Sequence, residues 1–413
     1  MAAERHDRHP PAMSRRRLSA ALMALPFAMS ALRVPATAQQ IGEELAARLT
    51  EAQQRAYVLY LRSRKSFDFE LQAYWIAVDQ KRDERRKKRA AGQPFTRADY
   101  IDEHPPKYQG PQLDPEIARI VASLRPPSEP EAPKPVVADF LAHARREFGF
   151  VPATTTEKQF KLRYAEESLG FGLTKDQVLR VYALETGGRG TYDMQAGIDP
   201  ESGKGTPISS ALGYAQLLAA NSISEFVKYG DGFITRLDGL ARRADARNAA
   251  LIRAKVLALK RMQVAAKSVP NVWAEHVKFG NQPRGMGIHA LNLDADIGPW
   301  LQAIKLRGVK EEADKAGRTR LTGAELELMN LAGPRTGLEM MEPVGRIMPT
   351  ANFFSQGGYY RNTIVREKTA AELLKALDER MEVGLRKPGS LEFAAAFDEA
   401  ARRLASVPAS QRQ

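Results

Sequence analysis

A chain of 413 residues with 43% hydrophobic content can bury a sizeable core, in one large domain or two smaller ones. It is basic by +13 and has no cysteine, which excludes disulfides, thiol nucleophiles and cysteine-ligated metals. The six histidines (His6, His9, His104, His143, His276 and His289) show neither HExxH nor another ligand spacing, so neither a metal nor a cofactor is expected.

Residues 1–38 read as an export signal. "SRRRLS" is the positive region, "LSAALMALPFAMSAL" the apolar stretch, and "ATA" at Ala36 to Ala38 the small-residue cleavage site. The apolar run is short for a bilayer and Pro26 interrupts it, so no stable membrane insertion is expected after cleavage at Ala38. These residues hold six basic and two acidic side chains, which leaves 56 basic against 47 acidic, or +9, in the rest. A basic exported chain suits an anionic partner such as cell-wall polymer rather than nucleic acid, and a periplasmic location is expected.

Residues 39–124 form a helical N-terminal region, with a helix over 41–92 that ends in the basic run "KRDERRKKR". "RPPSEPEAPKPVV" (125–137), with five prolines, reads as an extended linker. Residues 138–400 are helix-rich and better patterned, and 401–413 read as a tail.

Within 138–400, "LTKDQVLRVYALETGG" predicts a helix with both ends marked. Thr174 is the N-cap, Gln177 completes a capping box, and Leu173 with Val178 supplies a hydrophobic staple. Gly187 and Gly188 supply the left-handed stop. Val178, Val181 and Tyr182 share one face, and Glu185 falls on the same stripe. A carboxyl there loses hydration and meets the negative helix end, and both effects favour the protonated form of a general acid. The competing expectation is a surface glutamate paired with Arg180 or Arg189.

Gly213 marks a close approach of a polymer backbone or of another helix. Gln216 offers a donor and an acceptor, for a sugar acetamido group or for backbone carbonyls in a loop. Tyr192 and Tyr214 fit either sugar faces or the core. The Gly-rich stretch 188–207 reads as a loop or small hairpin. "PTANFFSQGGYYRN" (349–362) fits either a saccharide groove or a loop packed on the domain.

Taken in order, "ALETGG", "ISSALGYAQLLAAN" (208–221) and "ELMNLAGPRTG" (327–337) resemble the three motifs of the soluble, lysozyme-like lytic transglycosylases. The similarity covers about a third of the chain. Glu185 matches the catalytic acid, with Thr186 in place of the usual serine. Gly213, Tyr214, Gln216 and Leu217 match the second motif; Asn330 and Gly333 match the third, where Met329 replaces the usual tyrosine. A helical insertion over about 225–320 accounts for the long gap between these motifs.

The resemblance implies a mainly α, lysozyme-like catalytic domain with a small loop or hairpin wall. It implies cleavage of the bond between N-acetylmuramic acid and N-acetylglucosamine in peptidoglycan strands, with Glu185 as acid and base and 1,6-anhydro products. Thr186, Gly213, Tyr214, Gln216, Asn330 and Tyr192 would bind substrate. Three alternatives stand beside it: a lysozyme-type hydrolase with Asp193 or Asp199 as second carboxylate, a non-catalytic wall-binding protein on the same fold, and a hydrolase of another acetamido-sugar polymer such as chitin.

Overall fold

Helix follows helix along the chain, and the fold class is mainly α, with no strand among the described residues. The computed structural model describes residues 44, 45, 47–124 and 133–406. The expected signal segment, most of the proline-rich stretch and the end of the tail lie outside them. The helices are α1 (Glu51–Ala90), α2 (Pro115–Leu124), α3 (Val137–Phe148), α4 (Glu157–Gly170), α5 (Lys175–Thr186), α6 (Ala219–Arg243), α7 (Ala246–Lys267) and α8 (Trp273–Gly280). They continue with α9 (Pro283–His289), α10 (Gly298–Lys315), α11 (Gly323–Ala332), α12 (Pro334–Met341), α13 (Pro343–Arg346), α14 (Gln356–Arg361), α15 (Ala370–Leu385) and α16 (Pro388–Ser406). No helix among the described residues is long and apolar enough to cross a membrane.

Two compact units divide the chain. The smaller takes the described residues up to 63 together with 110–124, where Leu49 and Ile117 are buried and Gln53 hydrogen-bonds Glu116 at 3.3 Å. The larger takes 64–109 and the described residues from 133 onward. Residues of α1 beyond Arg64 therefore share a unit with the helix that carries Glu185. Arg85 is fully buried there: its Nε donates to Glu339 at 2.6 Å and its other nitrogens to the carbonyls of Asp99 (2.9 Å) and Asn352 (2.6 Å).

The larger unit holds two hydrophobic clusters. One is built on α4, α5, α11, α15 and α16, with Tyr164, Tyr182, Leu326, Leu373 and Phe393 among its buried residues. The other is built on α3, α6, α7 and α9, with Phe140, Phe226, Leu259 and Ile288. Local sequence fixes the starts of four helices in the first cluster. Thr156, Thr174, Thr322 and Thr369 each cap the amide three residues on, and Gln159, Gln177, Glu325 and Glu372 return the bond. A cap of this kind contributes about 1 kcal/mol.

Between α5 and α6 the chain makes isolated antiparallel bridges, Gln195 with Leu212, Ile198 with Gly205 and Leu212 with Leu217. This is the loop or small hairpin expected from its glycines. The stretch 349–362 is packed inward over its first half, where Thr350, Asn352 and Phe353 are buried and the Asn352 side chain bonds both backbone groups of Ile101 at 2.8 Å, while Ser355, Gln356, Gly357 and Tyr360 are exposed.

Candidate active site

The two ends of α5 place Glu185. At the start, the Gln177 amide donates to the Leu321 carbonyl at 2.9 Å and ties α5 to the segment leading into α11. At the end, Gly187 and Gly188 turn left-handed at φ 62° and 73°. A Cβ on Gly188 would fall 2.1 Å from the Gly384 carbonyl oxygen, so this glycine lets α5 close against the end of α15. With α11 and α15 both packed against α5, Glu185 is half-buried in the last turn.

Its partner is Glu327 of α11, whose side chain is fully buried and hydrogen-bonds the Glu185 carboxyl. Two carboxyl groups can share such a bond only if a proton lies between them. Burial pushes Glu185 up to about 7, against the opposing pull of the Glu327 hydrogen bond and the Arg380 charge. Burial also pushes Glu327 well above the ordinary carboxylate range, and Glu185 adds to the rise by its charge and its hydrogen bond. Asn330, whose Nδ2 lies 3.3 Å from Glu327, and the nearby Lys305 pull the other way. Desolvation wins, and the pair holds a proton at neutral pH.

The two arginines expected from the sequence to pair with Glu185 are engaged elsewhere. Arg180 pairs with Asp176, Asp378 and Glu382 at 2.5–2.9 Å, and Arg189 lies 3.5 Å from Glu201. Nor do the two expected second carboxylates take part. Asp199 closes its own turn by accepting from the Glu201 and Ser202 amides (3.1 and 2.8 Å). Asp193 is exposed, accepts from the Thr191 hydroxyl at 2.7 Å, and lines a separate hollow with Val137 and Phe150.

Of the residues expected to bind substrate, only Asn330 joins the carboxyl pair. Thr186 is buried, and its hydroxyl donates to the Tyr182 carbonyl at 2.7 Å and accepts from the Gly188 amide at 3.2 Å. Tyr214 is core: its ring packs on Phe160, Tyr164, Tyr182 and Phe393, and its hydroxyl donates to Glu157. Tyr192 stacks on Phe160 with centroids 4.9 Å apart, and its amide donates to Glu157 at 3.1 Å.

Gly213 and Gln216 have a shared structural reason for their spacing. They bracket a tight turn closed by Leu212 and Leu217, whose amides and carbonyls bond reciprocally at 3.0 Å. Gly213 is at φ 72°, and a Cβ there would lie 2.4 Å from Gln302 Nε2 of α10. Gln216 is one of two non-glycine residues at positive φ among the described residues, and its Nε2 donates to the Gly213 carbonyl at 2.8 Å. Tyr214 plugs one hydrophobic cluster while Leu212, Ala215 and Leu217 plug the other. The turn therefore joins the clusters, and the chemistry of its residues is directed inward.

Glu327 is the group that sequence reasoning missed. The signal was the same as for Glu185: an acid set between apolar residues, here Leu326 and Leu328, on a helix with a marked start. A cavity of about 600 Å3 is lined in part by Lys305 of α10, whose charge acts on Glu327. Neither carboxyl is part of its lining. No group of three or more histidine or acidic side chains suited to a metal occurs among the described residues. Comparison with known protein families, with curated proteins and with solved structures finds no match.

Proposed function

We propose that this chain is a glycan-cleaving enzyme of the lytic transglycosylase type, on a lysozyme-like helical fold, acting on exported peptidoglycan strands in the periplasm without a cofactor. The observation that carries the proposal is the carboxyl pair. Two-carboxylate glycosidases set their acids on opposite sides of the scissile bond, about 5–9.5 Å apart. Here the two are in hydrogen-bond contact, too close to flank a sugar. That arrangement suits one acid whose proton is held by its neighbour, and it offers no separate carboxylate to activate water.

In the step proposed, Glu185 gives its proton to the bridging oxygen as the C1–O bond breaks. The C6 hydroxyl of the same muramoyl sugar attacks C1, and its proton returns to Glu185. The ring closes as a 1,6-anhydro product, with no water consumed and with the proximity advantage of an intramolecular nucleophile. Glu327 and Asn330 position the acid, and burial keeps it protonated.

Replacing Glu185 by Gln removes the proton while keeping shape, so solubilisation of purified sacculi should slow by about 100-fold or more. A wild-type rate in Glu185→Gln overturns the proposal, and mass spectrometry of the products separates anhydro ends from reducing ends. The burial of Thr186 and Tyr214 favours a second reading, a wall-binding protein that does no chemistry. Retention on sacculi with no fragment released selects it.

A further inference from the structure

The 600 Å3 cavity is walled by α6, α10 and the start of α12, and its charges do not cancel. Each carboxylate in its wall already has a cation: Glu225 lies 3.5 Å from Lys228, Glu312 2.7 Å from Lys315, and Glu311 2.6 Å from Arg307. Two cations of the wall are left over. Lys305 has neither a hydrogen bond nor a carboxylate within ion-pair range among the described residues, and the same holds for Arg335.

Their settings differ. Arg335 is exposed at the rim, while Lys305 is half-buried, and burial pulls its ammonium below the usual lysine range. A lysine in that state, with no carboxylate in contact and with Glu225 and Glu327 acting on it only through their charge, is poised for an incoming negative group. The backbone adds to this. α12 begins at the cavity with Gly333 as N-cap, which has no side chain to cap it, followed by Pro334 at the first turn. The next amides, of Arg335 and Thr336, have no partner within the helix and sit at its positive end.

We propose that this cavity binds a carboxylate group, held between Lys305, Arg335 and the start of α12. The site stands on its own geometry; the source of the carboxylate rests on the glycan-cleaving proposal. If the substrate is peptidoglycan, the group is an acidic substituent of the strand, a lactyl or peptide carboxylate near the cleaved bond. A free small carboxylic acid has the same chemistry and is the other possible source.

Binding is measured by calorimetry on the Glu185→Gln protein, so that no cleavage intervenes. The probes are a β-1,4-linked amino-sugar disaccharide carrying a 3-O-lactyl carboxylate, the same disaccharide with that group as its methyl amide, and sodium lactate. The carboxylate form should bind about tenfold or more tighter than the amide, since a charge-assisted bond contributes about 1.5–3 kcal/mol. Adding Lys305→Met or Arg335→Gln should remove that advantage and leave amide binding unchanged. Lactate binding of equal strength, with the same dependence on Lys305, assigns the site to a free acid. Arg335→Gln is a surface change that should not disturb folding, and circular dichroism checks both variants. Equal affinity for the acid and amide forms, or a preference that survives both substitutions, overturns the proposal. Sacculi left intact by the wild-type protein, with the Lys305-dependent preference retained, would overturn the glycan-cleaving proposal alone.

Discussion

Glu185 and Glu327 each occupy a helix face that would otherwise be apolar; burial makes both charges costly, and Glu185 adds to the cost at Glu327. The sign of the pH dependence follows. The folded Glu185 carboxyl holds its proton up to about 7, whereas an unfolded chain releases it near the ordinary glutamate range. Between those limits the folded state binds more protons, so the stability contributed is fully present below the unfolded pKa and is lost as pH rises through about 7. The melting temperature of the wild-type protein should therefore fall from pH 5 to pH 8 more steeply than that of Glu185→Gln, which has no proton to lose at this position and keeps only that of Glu327. Parallel curves for the two proteins in thermal scans would contradict the shared-proton pair.

The helix α5 shows how local signals deliver a functional group to its place. Thr174 and Gln177 fix where it begins, and the paired glycines fix where it ends. Those glycines are unequal. Gly187 has open space beyond its Cα, so Gly187→Ala bears only the left-handed backbone penalty, about 1 kcal/mol. Gly188→Ala bears the same penalty and also collides with the Gly384 backbone, so its loss should exceed about 3 kcal/mol. Urea titration of the two variants measures the difference; equal losses would mean that α5 does not close against α15 as described. The same Thr-x-x-Gln/Glu signature opens α4, α11 and α15 and was equally open to reading from sequence. The Gly213–Gln216 element was legible as a motif but not in its role. Its glycine and glutamine shape a turn, and its tyrosine fills a core, because only the surrounding helices decide which way a turn points.

Across the larger unit, the buried Arg85 is the most demanding contact. Its guanidinium is fully withdrawn from water and is satisfied by Glu339 and two carbonyls, while Arg89 also pairs with Glu339. Arg85→Met would leave buried acceptors without their donor and should destabilise the unit by about 3–5 kcal/mol, read as a shift of the denaturation midpoint at unchanged m-value. A loss below about 1 kcal/mol would show that this network is not needed to hold α1 in the unit.

By itself the sequence determined the helical class, the limits of α5, the buried face on which Glu185 sits and the looped stretch that follows, because capping, periodicity and glycine conformation act over a few residues. What faces Glu185 was decided by tertiary structure alone. Glu327 lies far along the chain, on a helix whose own pattern says only that it is buried. The pair holds a proton because packing withdraws Glu327 fully and Glu185 in part from water, and desolvation is a property of the assembled core rather than of either segment.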